Sequence, residues 1–251
     1  MNPILPINEE PYTLFPHQIE GVQWMIQQEQ SDIKGGLLCD DPGLGKTIQI
    51  LSLIKQRTTD YHNEHNLIIC PLALIQQWKQ AATHVFPHNT IHIHYEHNKF
   101  NNIEDFQQIN PFITITTFNN LWKSHNKQFQ KTILHNILWT RIITDEAQTI
   151  KNINSKAAIG CHLIHATYRW GLTGTPIQNN IKDIQALFYY IHAFNSDITR
   201  IKTYTDTLVQ QAVLRRTRHI MEHAYKNLTI KIKQAHFDTN EEKEFYYKIK
   251  K

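Results

Sequence analysis

Cysteine is scarce: Cys39, Cys70 and Cys161 are the only three in 251 residues, far apart and each inside an apolar segment. That spacing excludes a disulfide frame or a cysteine metal knuckle and reads as buried, reduced thiols of an intracellular protein. Long hydrophobic runs are missing too. No segment approaches the roughly 18 consecutive apolar residues that a membrane-spanning helix needs. The start, Met1-Asn2-Pro3-Ile4, lacks the basic-then-apolar order of a secretion signal. Charge of one sign is not in excess, with 26 Lys and Arg against 22 Asp and Glu, a net +4. Such a balance is compatible with a nucleic-acid partner without arguing for one. Internal repeats and low-complexity linkers are absent. What remains, 41% hydrophobic and 19% charged, is an ordinary globule long enough to bury a core.

Glycine is sparse as well, eight in all, yet two stand in the stretch that organises the chain, Leu37-Leu38-Cys39-Asp40-Asp41-Pro42-Gly43-Leu44-Gly45-Lys46-Thr47. An apolar strand runs into a glycine loop ending in Lys-Thr, then into an apolar helix over 48–54. A phosphate cradle needs that order. Gly43 and Gly45 can take backbone angles closed to other residues, so the amides can turn inward on phosphate oxygens. The helix N-terminus adds partial positive charge. Lys46 would reach the β- and γ-phosphates, and the Thr47 hydroxyl would sit on Mg²⁺. The strict G-x-x-x-x-G-K-T pattern fails at its first position, Asp40, so the loop by itself also fits an ordinary strand-to-helix turn.

Ahead of the loop, residues 1–12 carry three prolines and read as an extended arm. A helix is expected over 16–28, with Ile19, Val22 and Ile26 on one face. Gln18 at its start could donate to and accept from an adenine edge, or be a polar residue on the exposed face. Beyond the loop, strands are expected at 67–70, 91–95, 112–116, 141–144 and 168–172. Helices are expected at 74–86, 103–108, 118–138, 155–165 and 181–194. His92 and His94 share a strand face; with no third ligand evident, that face reads as solvated rather than metal-binding. Short strands alternating with helices indicate an α/β sandwich on a mainly parallel, doubly wound sheet. Ligands on such sheets bind at the carboxyl ends of strands. The clusters at 40–47, 116–117, 145–148 and 173–175 all follow expected strand ends, which places them at one site. Residues 196–251 are expected to extend beyond the sheet, with a strand at 228–232 and a charged helix at 240–251.

Asp145 and Glu146 form the second chemical pair. An acid at the end of an apolar strand can hold the Mg²⁺ shell, and the next carboxylate can orient or deprotonate an attacking water. Thr173-Gly174-Thr175 supplies hydroxyls and a flexible backbone, although as a bare string it is also an ordinary turn.

Taken in order, the chain carries His17-Gln18, Asp41-Pro42-Gly43-Leu44-Gly45-Lys46-Thr47-Ile48-Gln49 and Cys70-Pro71-Leu72 through Trp78. There follow Ile115-Thr116-Thr117-Phe118, Asp145-Glu146-Ala147-Gln148, Leu172-Thr173-Gly174-Thr175-Pro176 and Leu214-Arg215-Arg216-Thr217. That series resembles the Swi/Snf-type ATPases of helicase superfamily two, motors of chromatin remodelling and DNA translocation. The resemblance covers about residues 12–220. It implies an N-terminal RecA-like lobe over 13–195, with 196–251 leading toward a second lobe. It also implies ATP and Mg²⁺ as cofactors. Gln18 would read adenine, and Asp41, Gly43, Leu44, Gly45, Lys46, Thr47 and Ile48 would surround the phosphates. Thr47 and Asp145 would hold Mg²⁺, Glu146 would activate water, and Gln148, Thr173, Gly174 and Thr175 would couple nucleotide state to DNA contact. Pro71, Gln77, Trp78, Thr116 and Thr117 would grip double-stranded DNA by its backbone, independently of sequence. Arg215 and Arg216 match a basic DNA-contacting segment, and a charge run also reads as a solvated face.

Two positions depart from the family: Pro42 replaces a usual methionine, and Gln148 a frequent histidine. The chain also reaches Lys251 where the second lobe, with its arginine fingers, would begin. Weak hydrolysis is therefore expected of the chain by itself, with a second lobe possible in trans, in the nucleus or another DNA-containing compartment. The other reading is a nucleotide- and DNA-binding regulatory module that does not hydrolyse.

Overall fold

The short apolar runs pair into a parallel sheet. A computed structural model describes residues 13–125 and 128–221, so the expected arm over 1–12 and the elements at 228–232 and 240–251 lie outside the described residues. The chain divides into two units, 1–218 and 219–251, and the first carries the elements below. In order they are α1 (Pro16–Glu29), β1 (Gly35–Leu38), α2 (Lys46–Arg57), β2 (Asn66–Ile69), α3 (Ile75–Val85) and β3 (Ile91–Ile93). Next come α4 (Ile103–Ile109), β4 (Ile113–Thr116), β5 (Lys123–His125), β6 (Gln128–Gln130), β7 (Trp139–Asp145), α5 (Lys156–Leu163) and β8 (Ala166–Leu172). The series closes with α6 (Ile181–Tyr190), α7 (Ile198–Thr203), α8 (Thr205–Ala212) and β9 (Val213–Leu214).

The main sheet has seven strands in the order β3-β4-β2-β7-β8-β1-β9, every pairing parallel. Strands β1, β2 and β4 are buried on both faces, which is why Leu37-Leu38 and Leu67-Ile68-Ile69 read as unbroken apolar runs, while in β4 the alternating Thr114 and Thr116 are buried with the isoleucines. One-residue alternation distributes them between two cores. Leu38, Ile68 and Ile143 pack with Val22, Ile50, Leu53 and Trp78 from α1, α2 and α3. Leu37, Cys39, Leu67, Ile69 and Ile142 pack with Phe106, Cys161, Leu187, Phe188 and Leu208 from α4, α5, α6 and α8. The result is the three-layer architecture expected from the sequence. All three cysteines are free and buried, and burial pushes the thiols of Cys39 and Cys70 up to about 12, so they are inert.

Local differences have physical causes. The described residues of 118–138 form no α-helix: short 3-10 turns flank the antiparallel pair β5–β6. The apolar anchors there fall in two separate pairs, Phe118 with Leu121 and Leu134 with Ile137, so no continuous stripe exists to bury. The extension after 196 does not lie wholly beyond the sheet, because β9 pairs with β1. On α1 the buried positions are His17, Gln18, Gly21, Val22, Met25 and Glu29, with Ile19 and Ile26 packed at the margin. Helix α6 ends at Tyr190, and His192, Phe194 and Asn195 follow with positive φ.

His94 does not face solvent. It is 2% exposed, its Nδ1 accepts the Phe100 N–H at 3.2 Å, and its ring lies 4.9 Å from the Phe100 ring. Among the described residues no group of three His, Cys, Asp or Glu can hold a metal. Burial pushes the His94 pKa down to about 3, with His92 and Lys99 acting the same way. The unfolded ring titrates near about 6.5, so on acidification the unfolded chain binds the proton first. Stability present above about pH 6.5 is then lost as the pH falls toward about 3. Between about pH 7 and about pH 5 this ring alone removes about 2 kcal/mol, read as a lower urea midpoint. His94→Asn, whose amide oxygen keeps an acceptor for Phe100, should reduce that dependence by this ring's share, the share of His192, also pushed down to about 3, remaining; an unchanged dependence in the variant would contradict it.

Candidate active site

At the carboxyl end of β1 the chain turns through residues 40–45 into α2. Gly43 has φ 93° and Gly45, the residue before α2, φ 78°, both in the left-handed region. Gly45 is also a close approach, since a Cβ there would lie 2.3 Å from Gln18 Nε2. The turn aims the N-terminus of α2, with its unpaired amides, into a cleft. Lys46 folds back over the loop, its Nζ donating to the Asp40 carbonyl at 2.7 Å.

Across the cleft stands the end of β7. Asp145 is 9% exposed; its Oδ1 accepts the Glu146 N–H at 2.9 Å and its Oδ2 the Trp78 indole N–H at 2.8 Å. Burial raises the Asp145 carboxyl above its usual range, with Glu146 adding to the rise, while the indole, the Glu146 amide and Lys46 oppose it. Glu146 adopts φ 51°, ψ 51°, which swings its side chain out of the strand direction. A hydrogen-bond chain leads away from it. Gln148 Nε2 donates to Glu146 Oε2 at 2.6 Å, Thr173 Oγ1 donates to Gln148 Oε1 at 2.6 Å, and the Thr175 N–H donates to Thr173 Oγ1 at 3.0 Å. The Thr-Gly-Thr turn also abuts the phosphate loop: a Cβ on Gly174 would lie 2.9 Å from Pro42 Cδ.

The cleft has a volume of about 510 Å³ and is lined by Pro42, Gly43, Gly45, Lys46, Thr47, Ile48, Gln77, Asp145, Glu146, Gly174 and Thr175, with Leu74 and Ala81. Strand ends more than a hundred residues apart in sequence thus line one cleft. An ammonium, a helix N-terminus, a hydroxyl and two carboxylates are the donor set that a triphosphate with a divalent cation requires, so the residues fit both.

Other expected residues sit elsewhere. Gln18 is 7% exposed rather than on a solvated face; its Oε1 accepts the Phe15 N–H at 3.0 Å and its Nε2 donates to the Leu44 carbonyl at 3.2 Å. Each end of that amide keeps one further hydrogen-bonding position. Leu44 is buried and its carbonyl also meets the His17 ring and Gln49. The Asp41 carboxylate accepts from the Arg218 N–H, away from the cleft. Trp78 and Thr116 are not surface side chains: the indole is spent on Asp145, and the Thr116 hydroxyl donates to the His94 carbonyl at 2.8 Å. Thr117 is 6% exposed, Pro71 is half-buried, and Gln77 is exposed on α3. Arg215 is exposed, whereas the Arg216 guanidinium is turned inward onto Asp40, Gln49 and the His17 carbonyl. Asp40, Gln49 and His17 were not expected at the site. Their sequence signals are the places of His17 and Gln49 in the motif series and, for Asp40, an acid where the phosphate-loop pattern calls for glycine.

The family model of the SNF2-related domain matches residues 17–251. A Schizosaccharomyces pombe protein named as an ATP-dependent helicase is 38% identical over 213 residues, covering 77% of this chain and 20% of that protein. The Saccharomyces cerevisiae ATP-dependent helicase ULS1 is 30% identical over 212 residues, covering 71% of this chain and 13% of its own. The chain therefore spans a fifth or less of either relative's length. Among solved structures, a Sulfolobus solfataricus SWI2/SNF2 ATPase core in complex with dsDNA superposes with a TM-score of 0.71 at 25% identity, covering 86% of this chain and 47% of that one.

Proposed function

The chain belongs to the SNF2-related domain family, and on that premise we propose that it is the ATP-binding lobe of a DNA-dependent ATPase acting on double-stranded DNA. The observation that carries this reading is the single cleft in which Lys46 and Thr47 face Asp145 and Glu146. Lys46, released from the Asp40 carbonyl, meets the β- and γ-phosphates while the N-terminus of α2 takes the remaining charge. Thr47 and Asp145 would hold Mg²⁺, which when bound neutralises phosphate oxygens. Glu146 orients the attacking water and accepts its proton. Gln148 fixes the Glu146 carboxylate and ties it to Thr173, so the turn beside Pro42 feels the carboxylate's position.

On the DNA side, Gln77 and the backbone around Pro71 and Thr117 would meet phosphates, a sequence-independent contact. Trp78 and Thr116 would support that surface from beneath, and Arg215 is the basic side chain free to join it. The solved relative's complex with dsDNA supports this assignment. A second lobe, in cis or in trans, would supply the arginine fingers, worth about 10³- to 10⁵-fold in rate, so the chain by itself should turn over slowly. The compartment proposed is the nucleus or another that holds DNA; among the described residues no helix is long and apolar enough to cross a membrane.

The test is equilibrium titration of a fluorescent ATP analogue with Mg²⁺. Wild type should bind, and Lys46→Ala should lose detectable binding because the one ammonium in the phosphate turn is gone. Equal binding by the two proteins would remove the phosphate assignment.

A further inference from the structure

The basic string after β9 runs along the phosphate loop rather than out to solvent. The Cys39 N–H donates to the Leu214 carbonyl at 2.6 Å and the Asp41 N–H to the Arg216 carbonyl at 3.0 Å. The Arg218 N–H donates to the Asp41 carboxylate at 3.1 Å, and Arg218 Nε to the Pro42 carbonyl at 2.8 Å. The loop backbone from Cys39 to Pro42 is thus zipped to segment 213–218.

Arg216 is the pin. Its Nε donates to Asp40 Oδ1 at 3.0 Å, and its Nη2 pairs with Asp40 Oδ2 and donates to Gln49 Oε1 at 2.7 Å. Its Nη1 donates to the His17 carbonyl, and its backbone N–H reaches Asp40 Oδ1 at 3.1 Å. Gln49 Nε2 closes the ring on Asp40 Oδ2 at 3.2 Å. Asp40 has no exposed surface, and a carboxylate removed from water needs a paired charge with its oxygens hydrogen-bonded. That charge comes from a residue 176 positions away. α1 leaves room for it: a Cβ on Gly21 would lie 2.0 Å from Gln49 Oε1 and 2.7 Å from Arg216 Nη2.

We propose that Arg216 is a positioning residue for the phosphate loop, so that docking of segment 213–218 and binding of nucleotide depend on one another. The proposal rests on the ATP-binding reading above. The fork of Arg216 holds the first residue of the loop, and with it the turn on which Gly43 and Gly45 present their amides. Linkage makes the coupling reciprocal: a docked segment favours nucleotide by the same factor that nucleotide favours the docked segment. Most donors of Arg216 are already engaged, which assigns it to the loop rather than to DNA phosphates.

The test uses the full chain, with analogue titration and amide hydrogen exchange on the same samples, below each variant's unfolding midpoint. Arg216→Ala should weaken analogue binding by about 5- to 150-fold. Arg216→Lys should recover only part of that, since an ammonium cannot reproduce the fork. Gly21→Ala keeps the charge and displaces it, and should shift affinity in the same direction, which covers the case in which Arg216→Ala fails to fold. In wild type, nucleotide should slow exchange at the amides of Cys39, Asp41 and Arg218, and do so less in the folded variants. Equal affinity in wild type and the folded variants, with no nucleotide-dependent protection of those amides, overturns the coupling and leaves ATP binding intact. A wild-type chain that binds no nucleotide overturns both.

Discussion

Glu146→Gln should bind the ATP analogue with unchanged affinity and release phosphate about 10²- to 10⁴-fold more slowly than wild type. The substitution keeps the side chain's length and leaves an oxygen for Gln148 Nε2, which now sits 2.6 Å from Glu146 Oε2. What it removes is the basic oxygen proposed to take the water's proton. Affinity should survive because the phosphate contacts come from the opposite wall, where Lys46 and Thr47 stand. The readout is phosphate release in the presence of double-stranded DNA. Equal turnover by variant and wild type would remove Glu146 from the chemistry. A wild type that binds nucleotide and releases no phosphate would favour the non-hydrolysing module instead.

Glu29→Ala should cost about 3–5 kcal/mol of folding free energy while leaving nucleotide affinity of the folded protein unchanged. Glu29 lies at the end of α1, its side chain fully buried. Its carboxylate accepts from Arg141 Nε at 2.7 Å and Nη2 at 2.9 Å, from Arg57 Nε at 3.3 Å and from the Trp170 indole at 3.3 Å. Removing it takes the two shortest bonds from the Arg141 guanidinium, which is 1% exposed. The contacts it keeps, Nη1 to Glu64 Oε2 and to Asn66 Oδ1, both at 3.4 Å, are longer than the two lost and do not replace them for a charge removed from water. The cluster sits where β2 and β7 begin, Asn66 opposite Arg141, at the sheet edge away from the cleft. Replacing both charges, Glu29→Met with Arg141→Met, should recover most of the loss, since no fully buried ion is left unpaired and the two partners released, Arg57 and Glu64, are 30% and 17% exposed. Urea titration decides it: a single variant within about 1 kcal/mol of wild type, or a double variant as unstable as the single, would contradict the pairing.

Strands such as β1, β2 and β7 were readable because each holds a short apolar run closed by a turn or a polar cluster, and burial on both faces leaves no other use for such runs, while β3 was readable by alternation. The convergence of residues 40–47, 145–148 and 173–175 followed from that reading, since parallel strands bring their carboxyl ends to one edge, whereas 116–117, grouped with them, does not line the cleft. Pairings that cross the chain carried no local signal. Nothing in the neighbourhood of Trp78 tells that its indole meets Asp145, 67 residues on, and nothing near Arg216 points to Asp40. β9 has two residues, too few for any periodicity, and joins the sheet through backbone groups that every sequence possesses. His94 alternates as a solvent-facing residue should, yet Phe100, six positions later, folds over it. In each case a long-range contact outweighed the local pattern.

The most direct measurement is a crystal structure of the chain soaked with a non-hydrolysable ATP analogue and Mg²⁺. Density for the triphosphate is expected between the turn bearing Lys46 and the paired acids Asp145 and Glu146, with Lys46 released from the Asp40 carbonyl. A triphosphate bound anywhere else on the sheet, or one that leaves Lys46 on that carbonyl, would contradict the assignment.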